Sequence, residues 1–279
     1  MKGWQELEVE YAEKLRASTL EQRRELYKEA YNAVSVRATL EMPNEIEKRT
    51  AGTSPALVNL LRRLCHSTDR VLEVGCGRGY TCLKLAPYVK SLVGIDVSEA
   101  AIDEARKLLE THRIGNTSIL AGSADELTRC FGPHAFDKVI SIDVYEHLAP
   151  EDGLAHLSEV YSVLKPKGRY IVVTPNRLTG PHDITRDLFP NARQPLGFHL
   201  NETTCTDLVG QMRKVGFTRF RSVLPLSFKL QIPFDIIYPS YFFVLIEKLF
   251  PRFIQKRLIG RFVLMLSGII LISEKKGGT

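Results

Sequence analysis

From Glu6 to about Arg37, Leu7, Tyr11, Leu15, Leu26, Ala30 and Val34 recur at helical spacing among many charges, which predicts two amphipathic helices. Thr53-Ser54-Pro55 then offers a cap and a proline suited to a first helical turn, so a further helix is expected to run to about Cys65. Beyond it the pattern changes. Short apolar runs at Arg70–Val74, Ser91–Asp96, Ser118–Gly122, Asp137–Ile142 and Arg169–Thr174 read as buried strands. Helical patterns such as Glu99–Thr111 and Leu154–Leu164 lie between them and supply crossovers. A sixth strand is expected after Phe217, and a last one over Ser267–Ser273. The expected fold is α/β: a doubly wound sheet of seven strands, mainly parallel. Its parts are an N-terminal helical extension (1–52), a core (53–223), a helical insertion (224–266) and a final strand with a tail (267–279).

The insertion is too long for a simple connection between strands. It is rich in Phe, Leu, Ile and Tyr and carries Lys229, Lys248, Arg252, Lys256, Arg257 and Arg261 against Asp235 and Glu247. Most of the chain's formal charge of +6 therefore sits in its most apolar stretch. That pairing suits a helix lying at an anionic lipid surface, or a cap whose basic stems snorkel over the core. At 279 residues, 44% hydrophobic and 25% charged, the chain is neither disordered nor fibrous. Five cysteines without a C-x-x-C pair point to a reducing, cytoplasmic setting. No apolar run reaches the roughly 20 residues that span a bilayer.

The most specific signal is Val71-Leu72-Glu73-Val74-Gly75-Cys76-Gly77-Arg78-Gly79-Tyr80, a strand running into a glycine-rich turn and then a helix. Tyr80 stands where a dinucleotide fingerprint needs its third glycine, so the pattern is G-x-G-x-G. Asp96 ends the next strand, where a carboxylate can accept both hydroxyls of a ribose. With Glu73 in the first strand, these residues resemble the class I S-adenosylmethionine-dependent methyltransferases, and in particular the small-molecule enzymes of ubiquinone and menaquinone biosynthesis. The resemblance implies a Rossmann-like core with S-adenosylmethionine as cofactor, held by Glu73, Gly75, Cys76, Gly77, Gly79, Asp96, Val97, Ala124, Asp125 and Asp143. Glu73 would hold the ammonium group, Asp96 the ribose and Asp125 the adenine amine. Phe136–Leu148 is similar to the fourth strand and the turn beneath the methionine portion, and Leu164–Arg169 to the L-K-P-G-G turn, with Lys167 in place of a glycine.

Methyl transfer from a sulfonium needs alignment in a dry pocket, and a base only where the acceptor must lose a proton. His182, beside Asp183 in a Gly- and Pro-rich loop, is the first candidate, followed by His199 and His147. Asp143, Glu146 and His147, at i, i+3 and i+4, form an alternative Mg²⁺ set, although no metal is favoured. The acceptor is expected to be small and hydrophobic or lipid-linked, with oxygen the preferred methylated atom. Peripheral membrane contact and a homodimer are compatible with this reading. The rival reading, a nucleic-acid methyltransferase, lacks an Asn/Asp-Pro-Pro-aromatic motif, since Asp143-Val144-Tyr145-Glu146 occupies that place. A non-catalytic cofactor-binding module is the other alternative.

Overall fold

The computed structural model describes residues 3–41, 54–223, 237–249 and 268–277. Its strands are β1 (Arg70–Val74), β2 (Ser91–Asp96), β3 (Thr117–Ala121), β4 (Phe136–Ile142), β5 (Leu164–Pro175), β6 (Phe217–Val223), β7 (Ile237–Pro239) and β8 (Gly268–Lys275). They form one sheet in the order β3-β2-β1-β4-β5-β8-β6-β7. Pairings from β3 to β5 are parallel, whereas β8 lies antiparallel between β5 and β6. Seven strands follow the expected pattern. The eighth, β7, is a three-residue edge strand antiparallel to β6, inside the segment expected to be helical. A tripeptide strand with Pro239 at its end gives too short an alternation to be seen in sequence.

The helices are α1 (Trp4–Ala17), α2 (Leu20–Glu41), α3 (Pro55–Leu64), α4 (Tyr80–Leu85), α5 (Glu99–Thr111), α6 (Leu127–Phe131), α7 (Pro150–Val163), α8 (Thr185–Leu188), α9 (Cys205–Val215) and α10 (Tyr241–Leu249). Ser54 caps α3 by accepting the Leu57 amide at 3.1 Å, with Pro55 at the first helical position. Buried strand residues feed two cores by alternation. Val71, Ile140 and Ile171 meet Leu57, Leu60 and Leu61 of α3 and Ile102 of α5, while Leu72, Val139 and Val172 meet Leu157 and Val160 of α7 and Leu208 of α9. The last crossover helix starts earlier than its apolar pattern, because Pro150 opens it, and β5 follows at once from Leu164. At the following turn Lys167 adopts the left-handed φ of +65°, a conformation for which glycine is better suited.

The N-terminal helices bury a third cluster of Tyr11, Ala12, Leu15, Tyr27, Ala30 and Val34 with Phe198. Polar bonds add to their attachment. Arg23 of α2 makes a buried, two-pronged pair with Asp152 of α7 at 2.7 and 3.1 Å. Tyr27 donates to the same carboxylate at 2.9 Å and accepts the Ala149 amide at 2.8 Å. Arg16 gathers the carbonyls of Pro195, Leu196 and Gly197, and Glu8 accepts the Phe198 amide at 3.1 Å. The hairpin is thereby bound to the loop that follows β5.

The expected boundary near residue 53 and much of the 224–266 insertion lie outside the described residues. Within the described part of the insertion, Glu247 of α10 has a structural role: its carboxylate accepts the Cys205 and Thr206 amides at 2.9 and 2.7 Å and the Asn176 side chain at 2.9 Å. A buried carboxylate at the N-terminus of α9 satisfies orphan amides and complements the helix dipole. Among the described residues no helix is long and apolar enough to cross a membrane.

Candidate functional site

The site lies at the carboxyl ends of β1, β2 and β4. Gly75, Gly77 and Gly79 all take positive φ, at +70°, +49° and +79°. At Gly75 an added Cβ would also fall 2.3 Å from a Val144 methyl, so the turn needs glycine for close approach as well as conformation. Asp96 braces that turn: its two oxygens accept the Gly77 amide at 2.8 Å and the Ser98 amide at 2.9 Å. Burial pushes the Asp96 carboxyl up, against the pull of those donors.

A cavity of about 150 Å³ opens above the turn. Val74 and Gly75, Asp96 and Val97, Gly122 to Ala124, and Asp143, Val144, His147 and Leu148 form its floor and walls, while Tyr27 and Tyr31 of α2 close it. Asp143 takes a left-handed φ of +52° and lines this space. Of the residues expected to meet the cofactor, Gly75, Asp96, Val97, Ala124 and Asp143 therefore converge on the cavity.

The others are placed differently. Glu73 lies beneath the loop, where Cys82 Sγ donates to it at 2.9 Å, and burial raises its pKa to about 7. Cys76 is buried beside Cys82, and Gly77 and Gly79 shape the turn without lining the cavity. Asp125 is turned away from the cavity, since Arg24 of α2 binds it at 2.9 Å and Ser123 donates to it. A cation brought in from a distant helix outweighed the local pattern. His182 is also drawn off: its Nε2 donates to the Asn176 carbonyl at 3.1 Å and sits 2.9 Å from Thr179 Oγ1. Asp183 accepts the Thr185 and Gly197 amides and thus braces its own loop.

His147 and His199 instead come together, ring centroids 4.8 Å apart and edge to face. His147 lines the cavity and donates Nδ1–H to the Phe198 carbonyl at 3.2 Å; burial lowers its pKa to about 3, which keeps it neutral. His199 donates Nδ1–H to Glu202 at 2.8 Å. In the neutral His147 ring Nε2 is left as the lone-pair nitrogen. Glu146 is buried under the pair, accepts Thr174 Oγ1 at 2.9 Å, and is pushed well above the usual carboxylate range by burial and by Asp143. Among the described residues Glu146, His147 and His199 form a group whose ligand atoms lie within 4.8 Å of one another. His199 takes the place that Asp143 held in the expected set. Sequence reading missed Glu202, Tyr27 and Tyr31. The two tyrosines lie at i and i+4 beside the apolar stripe of α2, a spacing that looks the same for packing as for a lid.

Residues 71–168 match a family model described as a methyltransferase domain. A probable S-adenosylmethionine-dependent methyltransferase of Mycolicibacterium smegmatis is 32% identical over 158 residues, which cover 56% of this chain and 54% of the relative. Residues 71–168 are thus similar to the methyltransferase domain of S-adenosylmethionine-dependent enzymes. Other methyltransferase relatives differ in what their names say they act on. A tRNA U34 carboxymethyltransferase of Cellvibrio japonicus is 30% identical over 59% of this chain and 50% of its own. A mitochondrial ubiquinone biosynthesis O-methyltransferase of Schizosaccharomyces pombe is also 30% identical, over 50% and 51%. The solved YcgJ protein of Bacillus subtilis has the same methyltransferase fold, with a TM-score of 0.54 at 19% identity over 79% of this chain and 98% of its own. The chain spans about half the length of the curated relatives it matches.

Proposed function

We propose that this chain binds S-adenosylmethionine and transfers its methyl group to an oxygen of a small, hydrophobic acceptor. The observation that carries this reading is the Asp96-braced glycine turn opening into a cavity lined by two carboxyls, Asp96 and Asp143, and by no Lys or Arg. That electrostatic character suits a ligand with sulfonium and ammonium charges. Asp96 retains lone pairs for ribose hydroxyls, and the chemistry left to the protein is alignment and removal of the acceptor's proton.

His199 is the base best supported by the geometry. Glu202 fixes its Nδ1–H and orients the ring, which leaves Nε2 to accept a proton beside His147 at the cavity edge. Transfer of label from methyl-labelled cofactor to simple phenols and catechols tests the reading against transfer to bulk tRNA, the acceptor class that a nucleic-acid enzyme would favour. His199→Gln should lower turnover on the phenolic acceptor by roughly 10² to 10⁴ while leaving S-adenosylhomocysteine affinity unchanged. A full-rate variant would remove His199 from the role.

A second reading has support from the Glu146, His147 and His199 group. Each imidazole already donates its other nitrogen to an oxygen acceptor, the arrangement that metal-binding histidines need. Two imidazoles and one carboxylate suit Mn²⁺, Fe²⁺ or Zn²⁺ better than Mg²⁺. A bound ion would lower the pKa of an acceptor hydroxyl. The exposed side chains of Tyr241, Phe242 and Leu245 on α10 support a lipid-linked acceptor or a peripheral membrane contact.

A further inference from the structure

The cavity lining holds four residues whose side chains can donate a hydrogen bond: Tyr27, Tyr31, Ser123 and His147. Three are committed elsewhere. Tyr27 O–H goes to Asp152, Ser123 O–H to Asp125, and His147 Nδ1–H to the Phe198 carbonyl. The Tyr31 hydroxyl is buried and has no hydrogen-bond partner among the described residues. Its ring is fixed between Phe198, at 4.8 Å, and His147, at 5.8 Å edge-on, so the phenol cannot swing out to solvent without giving up both contacts.

An unpaired buried hydroxyl is costly, and a lining that contains no Lys or Arg offers no other side-chain donor to an anionic oxygen. Aspartates suit the cationic centres of an amino-acid-bearing sulfonium, but they repel its carboxylate. We propose that the Tyr31 hydroxyl donates to the carboxylate of the bound cofactor and thereby makes α2 part of the cofactor site. This rests on the reading that the cavity takes S-adenosylmethionine. Burial first, and then the neighbouring Tyr27, Glu8, Glu146 and Asp96, push the pKa of the Tyr31 phenol up. Burial holds that phenol protonated and available as a donor throughout the neutral range.

Calorimetric titration of native protein and Tyr31→Phe, each with S-adenosylhomocysteine and with 5′-methylthioadenosine, provides the test. The second ligand shares the nucleoside and the sulfur but lacks the amino-acid carboxylate. Loss of a hydrogen bond to a charged oxygen should weaken S-adenosylhomocysteine by about tenfold or more while leaving 5′-methylthioadenosine within about twofold. The ligand-free variant should melt no lower than native protein, since it loses only an unpaired hydroxyl. An equal loss for both ligands, or no loss for either, overturns the assignment. If native protein binds neither ligand, the cofactor reading itself fails, a result distinct from either of those.

Discussion

At the scale of single residues, the site is governed by what burial does to carboxyl groups. Asp96 is held by two amides, so its charge has partners, whereas Glu73 has a thiol donor in a dry pocket and its pKa rises to about 7. The sign of the consequence follows directly. Between the ordinary carboxylate value of 4.5 and about 7 the folded state binds more protons at Glu73 than the unfolded state does, so this group's contribution to stability falls as pH rises through that window. Ligand-free Glu73→Gln should therefore gain stability relative to native protein between pH 5 and pH 8, on the order of 3 kcal/mol. Melting curves at the two pH values check this, and a constant difference would place the Glu73 ionisation elsewhere.

At the scale of elements, α2 is the piece that turns an open sheet edge into a closed cavity. Ser98 at the start of α5 donates to Asn32 at 2.9 Å, Arg78 in the glycine turn bonds Thr39 at 2.9 Å, and Arg23 binds Asp152. The Arg23–Asp152 pair is buried on both sides, with side-chain exposures of 7% and 6%. Removing one partner leaves an uncompensated charge, which costs about 3 to 5 kcal/mol when the pair is buried. Arg23→Ala should thus loosen α2, seen as faster amide exchange over residues 20–41 with little change in β1, β2 and β4. Uniform loss of protection across the sheet would mean that the hairpin and core unfold as one unit.

At the scale of the whole molecule, the apolar side chains of α10 lie at the β7 edge of the sheet, while Glu247 of the same helix is buried against α9. Tyr241, Phe242 and Leu245 are 57%, 47% and 49% exposed, and Lys248 follows them. If they enter a lipid interface, the Tyr241→Ser, Phe242→Ser, Leu245→Ser triple variant should sediment with anionic vesicles several-fold less than native protein, and binding should fall with salt. Equal, negligible sedimentation of both proteins would leave α10 as a cap alone.

Much of this architecture was legible in the chain. A buried strand, a turn that demands positive φ and a helix start are each set by residues a few positions apart, so Val71 to Tyr80 reveals the turn and Asp96 its companion acid. The alternation of apolar runs with helical patterns revealed the doubly wound sheet for the same reason: backbone geometry and burial period act locally. Other placements depended on partners that no local pattern names. Arg24 draws Asp125 away, the loop after β5 uses up His182, and that same loop carries His199 to His147 and fixes it with Glu202. Only the packed chain decides such contacts. Buried polar groups take whichever partner the fold delivers at hydrogen-bond distance, and α2, which delivers Tyr31 to the cavity, is separated in sequence from every strand beneath it.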